Sequence, residues 1–259
     1  MCSSDLPSLR SARLQAFLFA TSAALLAAFS LPAHADPFGW GSNVGGALGD
    51  GTNLNQPTPV VADLSGVLAG KSVVAISGGQ LHTVALTSEG KLYAWGNNGS
   101  AELGDGTNTS RSTPVAVDMS GVLAGKTVTA IDGGAGHTVA LTSDGKIYAW
   151  GFNDYGQLGD GTFTNRTTPV AVDLAGVLAG KTVTAISASA YHTVALTSDG
   201  KAYAWGYNYA GALGDGSTTD RPAPVTVDMT GVLAGKTLTA ISAGGYHTVA
   251  LTTDGKAYA

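Results

Sequence analysis

Residues 95–149 read WGNNGSAELGDGTNTSRSTPVAVDMSGVLAGKTVTAIDGGAGHTVALTSDGKIYA, and closely similar copies precede and follow them. Trp40, Trp95, Trp150 and Trp205 stand 55 residues apart without insertion, and His82, His137, His192 and His247 keep the same spacing. A tandem period of this size marks stacked supersecondary units, none able to bury its own apolar surface alone. The repeat therefore decides the architecture before any single motif does.

Within one copy, His137–Ser143 and Lys146–Trp150 are apolar runs joined by Asp144-Gly145, which predicts a β-hairpin closed by a type I′ turn. Upstream, 127–131 alternates polar and apolar residues, and downstream 169–172 is a short β-branched run behind a proline. Naming these strands A to D gives four antiparallel strands per period, the pattern of a β-propeller blade. A β-solenoid is the alternative, but its coils are usually shorter than this period. Complete blades are expected over 72–117, 127–172 and 182–227. Partial blades remain at the ends: an outer strand near Pro59–Ala62, and strands A to C within 237–259. Such ends suit a ring closed by strand exchange between the termini, which removes exposed sheet edges. The expected fold class is all-β, a propeller of four-stranded antiparallel blades with about four repeats present.

At the start of the chain, Arg10 and Arg13 precede an apolar run over 14–31, followed by Pro32 and the small-x-small sequence Ala33-His34-Ala35. Residues 1–35 read as a secretory signal rather than an anchor helix, and 36–259 as the repeat domain. The opening six residues also look like a translated sequencing adapter. Cys2, the only cysteine, precedes the apolar run, so it cannot serve a lipoprotein anchor. The last copy stops at Ala259, one residue short of a fifth Trp-Gly, so a truncated reading frame is expected.

Residues 36–259 carry 11 basic and 17 acidic side chains and no cysteine. That excludes disulfides and thiol chemistry, and it offers no basic surface for nucleic-acid phosphates. The expected location is secreted, periplasmic or at the cell surface.

The elements Trp95-Gly96-x-Asn98, Leu103-Gly104-Asp105-Gly106-Thr107, Thr113-Pro114-Val115 and Gly133-Gly134-x-x-His137-Thr138-Val139-Ala140-Leu141 recur at locked offsets. They resemble the regulator of chromosome condensation repeat over essentially all of 40–259. The resemblance implies a seven-bladed propeller, with about three repeats outside this chain. It also implies activities such as guanine-nucleotide exchange on a small GTPase, nucleosome docking or, in secreted bacterial relatives, inhibition of β-lactamases. Exchange in that family is thought to use a wedge-like loop, and no copy here carries an insertion.

Several motifs have plainer explanations than a ligand site. Gly121-Val122-Leu123-Ala124-Gly125-Lys126-Thr127 imitates a phosphate loop but is one residue short and precedes a strand instead of a helix, so no nucleotide is expected. Histidines on separate blades are expected to be buried and bonded to nearby backbone, not to hold metal. Asp50, Asp105, Asp160 and Asp215 in Gly-Asp-Gly read as turn residues, without the ligand spacing of a calcium loop. The tryptophans are expected to pack between blades. No catalytic set is unique to one copy, so neither an enzyme nor a cofactor is expected; a polysaccharide-active enzyme is the less favoured alternative.

Differences between copies carry the functional signal. The copies beginning at Trp95 and Trp150 differ at 15 positions, eight in the C-D loop and four in the A-B loop. In an up-and-down sheet those two connections leave the same face. That face also collects Phe152, Tyr155, Phe163, Tyr191, Tyr207, Tyr209 and Tyr246, with Arg111, Arg166 and Arg221 at equivalent positions. These residue types are enriched at recognition hot spots. The expected role is an exported, non-catalytic scaffold that binds a partner protein through this face, with a polysaccharide as the other ligand suited to tyrosines. The rivals are an exchange-type regulator and an inhibitor of a secreted enzyme.

Overall fold

A computed structural model describes residues 36–259; the segment read as a signal lies outside them. Four-residue β1 (Phe38–Gly41) pairs with β2 (Gln56–Val61). Three complete blades follow. The first is β3 (Val73–Gly78), β4 (His82–Thr87), β5 (Leu92–Gly96) and β6 (Arg111–Ala116). The second is β7 (Val128–Gly133), β8 (His137–Thr142), β9 (Ile147–Gly151) and β10 (Arg166–Ala171). The third is β11 (Val183–Ala188), β12 (His192–Thr197), β13 (Ala202–Gly206) and β14 (Arg221–Thr226). A last sheet holds β15 (Leu238–Ala243), β16 (Thr248–Thr252) and β17 (Ala257–Tyr258). All described neighbours pair antiparallel, in the order A-B-C-D.

The blade expectation holds in each copy, with two adjustments. Strand D begins at Arg166, before Pro169, because Arg166 pairs with Gly151 and the register then shifts before Val170. An outer strand tolerates that proline, since no further strand needs its missing N–H. The hairpin turn is also not type I′. Gly145 N–H donates to Thr142 O and Thr142 N–H to Lys146 O, and only Gly145 has positive φ (+71°). This is a three-residue loop, Ser143-Asp144-Gly145, whose glycine takes the left-handed position.

The N-terminal partial blade contains strand C as well as the outer strand, because Trp40 opens its own copy. Among the described residues β1 pairs only with β2 and β17 only with β16, so the strand exchange expected at the termini is not formed.

Strands B and C of the second and third blades are buried along their whole length, covered on both faces by neighbouring sheets. The apolar clusters accordingly lie between blades. Val84, Leu86 and Leu92 of the first blade pack with Val128, Ile131, Tyr148 and Trp150 of the second. Val139, Leu141 and Ile147 of the second pack with Val183, Ile186, Tyr203 and Trp205 of the third. Alternate residues on each strand thus serve opposite gaps.

Candidate functional site

Each C-D loop is built around a buried asparagine. Asn153 Nδ2 donates to Thr162 O at 3.0 Å and Thr164 O at 3.1 Å, while its Oδ1 accepts from Leu158 N. Asn98 and Asn208 repeat the arrangement. Asp160 Oδ1 accepts from Thr162 N and Thr162 Oγ1, the turn chemistry expected for the Gly-Asp-Gly positions. Replacing Asn153 with alanine should lower stability by about 1–3 kcal/mol, since buried carbonyls and an N–H lose their partner. Urea denaturation reads the loss, and the same change at exposed Asn108 should have little effect.

The three arginines are members of this staple. Arg166 Nη2 lies 2.7 Å from Asp160 Oδ2, Arg221 Nε 2.9 Å from Asp215 Oδ2, and Arg111 Nη2 3.3 Å from Asp105 Oδ2. Burial pushes the Asp160 carboxyl upward, but hydrogen bonds from Thr162 and Arg166 outweigh it and hold the pKa below the usual value. Arg111, Arg166 and Arg221 are therefore bonded within their own loops and stay partly exposed on that face.

The rings behave differently. Tyr155 and Tyr207 are 5.1 Å apart between centroids, Tyr155 and Tyr191 5.4 Å, and both pairs are edge-to-face. Phe152 joins at Tyr155, Tyr246 at Tyr191 and Tyr207, and Tyr209 at Tyr207. Six rings from two C-D loops and two A-B loops thus form one continuous cluster, so both loop types do open on one face. Edge-to-face packing lets the electropositive edge of one ring meet the negative face of the next. Tyr209 is 78% exposed and Tyr246 55%, whereas the other four are half-buried. Phe163 is 52% exposed and makes no ring contact among the described residues. Tyr191 and Tyr246 also border a cavity of about 370 Å³ with Gly78, Gly134 and Ser189, where the A-B loops converge.

The histidines sit beneath this face and bind between blades. His82 Nε2 lies 2.9 Å from Thr138 Oγ1 of the next blade, and Thr138 Oγ1 donates onward to Glu102 O. Since that hydroxyl proton is already used, Nε2 carries the imidazole proton and donates. His137 reaches Thr193 and His192 reaches Thr248 in the same way. These partners are a neighbouring blade's side chains, not the nearby backbone expected from sequence, and His192 Nδ1 also meets Ser189 Oγ of its own loop at 2.8 Å. Burial holds the pKa of His82 and His192 down to about 4. His137 falls to about 3, through burial first and then through its neighbours His82 and His192. His247 is exposed, having no threonine of a following blade among the described residues.

Trp95, Trp150 and Trp205 are buried between blades. Trp150 Nε1 donates to Glu102 O and Trp205 Nε1 to Gln157 O. Each indole lies over the glycine of the preceding Leu-Gly-Asp-Gly: a Cβ on Gly104 would come within 2.6 Å of Trp150 Nε1, and its φ is +66°. Trp40 is 65% exposed, because no preceding loop among the described residues covers it. It is the exception to the expected packing role.

Two groups were missed from the sequence. Glu102 is 6% exposed, its carboxylate accepts from Ser100 N, and burial raises its pKa. Asp132 ties three blades together, accepting from Ser77 Oγ and Ala188 N. Both stand where the other copies have uncharged residues, which was the available signal. Lys126, in the segment imitating a phosphate loop, pairs with Asp144 at 2.7 Å and leads into β7. Among the described residues no group of three or more His, Cys, Asp or Glu side chains is placed to hold a metal, and no helix is long and apolar enough to cross a membrane.

The RCC1-like domain family matches residues 27–259, nearly the whole chain. This chain belongs to the RCC1-like domain family. It is 33% identical over 223 residues to the Arabidopsis thaliana ultraviolet-B receptor UVR8, covering 85% of the chain and 48% of that protein. It is 32% identical over 231 residues to the Homo sapiens E3 ubiquitin-protein ligase HERC2, covering 88% of the chain but 5% of that protein. Human WBSCR16 superposes with a TM-score of 0.70 at 27% identity, over 83% of this chain and 52% of that one. Yeast RCC1 (Prp20), solved bound to Kap60, superposes with a TM-score of 0.72 at 24% identity, over 86% and 51%. The RCC1-like chain therefore spans at most about half of these relatives, and the last likeness speaks for the fold alone.

Proposed function

We propose that this RCC1-like chain is an exported, non-catalytic scaffold that captures a partner protein with the aromatic face formed by its A-B and C-D loops. The observation that carries the reading is the six-ring cluster: these rings fall where the copies diverge, while the interblade contacts repeat. Aromatic side chains partly exposed on preformed loops supply contact area with little loss of rotamer freedom on binding. The family fits a binding role, because its propellers are generally not the catalytic part of the proteins that carry them. Export rests on the sequence of residues 1–35, and the acidic balance of 36–259 disfavours a nucleic-acid or nucleotide ligand.

The test is capture of a partner first identified by pull-down from the producing cells or their medium. Truncating Tyr209 and Tyr246 to alanine should weaken its binding by at least about 2 kcal/mol, the usual threshold for a hot spot. Folding stability should change by about 0.5 kcal/mol or less, since both rings lie largely in solvent. Replacing Lys146 and Lys201 at the B-C turns is the control. Equal affinity for both variants contradicts the proposal, and a stability collapse in the tyrosine variant assigns the rings to packing.

A further inference from the structure

We infer that the aromatic face takes a cationic peptide segment, whose lysine or arginine heads lie against Tyr207, Tyr209 and Tyr246 and the Asp154 carboxylate; this rests on the loop-face reading above. The argument comes from where the charges fall. Every lysine of residues 36–259 belongs to the opposite end of the blades. Lys71, Lys126, Lys181 and Lys236 bridge to Glu89, Asp144, Asp199 and Asp254 there, and Lys91, Lys146, Lys201 and Lys256 stand at the hairpin turns. Among the described residues the only lysine or arginine side chains on the aromatic side are the three arginines, each bonded to the aspartate of its own loop.

Carboxylates on the aromatic side are less fully matched. Asp154 is exposed beside Tyr155 and makes no hydrogen bond or ion pair with another described residue. Asp220 spends one oxygen on Asn208 N, and its charge acts on the Tyr207 hydroxyl. Buried Glu102 lies toward the same side, in a C-D loop. An acidic surface carrying exposed tyrosine rings favours a cation twice over, through Coulomb attraction and through the negative faces of the rings. An acidic partner is repelled, and a neutral sugar gains nothing from the charge bias. The adjoining cavity between the A-B loops gives the face depth for a long side chain.

Fluorescence anisotropy of a labelled nonapeptide of alternating arginine and serine tests this on the purified chain. The arginine peptide should bind at least about tenfold more tightly than the same peptide with glutamine or glutamate in place of arginine. Asp154→Asn, and separately Tyr209→Ala with Tyr246→Ala, should each weaken it at least about fivefold, whereas Glu89→Gln on the opposite face should leave it unchanged. Thermal melts check that every variant is folded. An equal loss from Glu89→Gln, or no preference for arginine, overturns the inference. So does tyrosine-dependent binding of cellohexaose without binding of the arginine peptide. In those cases the loop-face reading survives if Tyr209→Ala with Tyr246→Ala still abolishes capture of the protein partner. It falls with the inference if capture is unaffected.

Discussion

Acidification from pH 7 to pH 5 should destabilise the fold by about 2 kcal/mol for each of His82, His137 and His192. The three imidazoles are neutral when folded, with pKa values held down by burial to about 4, 3 and 4. In the unfolded chain the same groups titrate near 6.5. A depressed folded pKa means that the stabilisation is complete above the unfolded value and is lost as pH falls through the window toward the folded value. Glu102, raised by burial, acts against this loss, whereas the lysine-paired turn aspartates titrate below the window. Asp144, Asp199 and Asp254 are held at about 2, first by their lysine partners, so their contribution is lost only in stronger acid. Urea denaturation at half-unit pH steps reads the slope. His137→Gln should be less stable at pH 7 and show a slope about one third shallower, because one of three protons no longer binds on unfolding. A midpoint that stays constant between pH 7 and pH 5 would contradict the neutral, interblade assignment.

Trp150→Ala should lower stability by about 3–5 kcal/mol, the range for removing a buried aromatic side chain. The indole fills the gap between the first and second blades and donates to Glu102 O, so truncation leaves a cavity and removes one of the two hydrogen bonds that this carbonyl accepts. Trp40→Ala should change stability by about 0.5 kcal/mol or less, because that ring is mostly in solvent. Thermal and urea unfolding of the pair measure the contrast. Equal losses would mean that the first copy is packed like the others.

The contrast between these two tryptophans also shows where sequence reading runs out. Exact repetition made the blades legible, since 55-residue spacing and period-two alternation survive in every copy. The same repetition hides the ends: Trp40 and His247 match their counterparts by letter, yet each lacks the neighbour that buries its counterpart. Contacts across a blade gap join residues 56 apart, as in His137 to Thr193. Their sequence trace is only the invariant His-Thr pair, whose threonine serves the preceding blade's histidine. The ion pairs of the arginines were not legible because residue type alone does not reveal pairing; Arg166 lies six positions beyond Asp160, on the same turn. Ser143-Asp144-Gly145 resembles a two-residue turn in sequence, and hydrogen bonding adds the third residue. The aromatic face was legible as a set of loops, but the continuity of Phe152, Tyr155, Tyr191, Tyr207, Tyr209 and Tyr246 required three-dimensional proximity. Phe163 fell outside it for the same reason.

Hydroxyl-radical footprinting of the chain with its captured partner tests the central claim most directly, because it reports which tyrosines lose solvent on binding. The account predicts strong protection of Tyr209 and Tyr246, with Lys91, Lys146 and Lys201 at the B-C turns remaining as reactive toward an amine label as in the free chain. Protection confined to those lysines, with Tyr209 and Tyr246 still fully reactive, would contradict it.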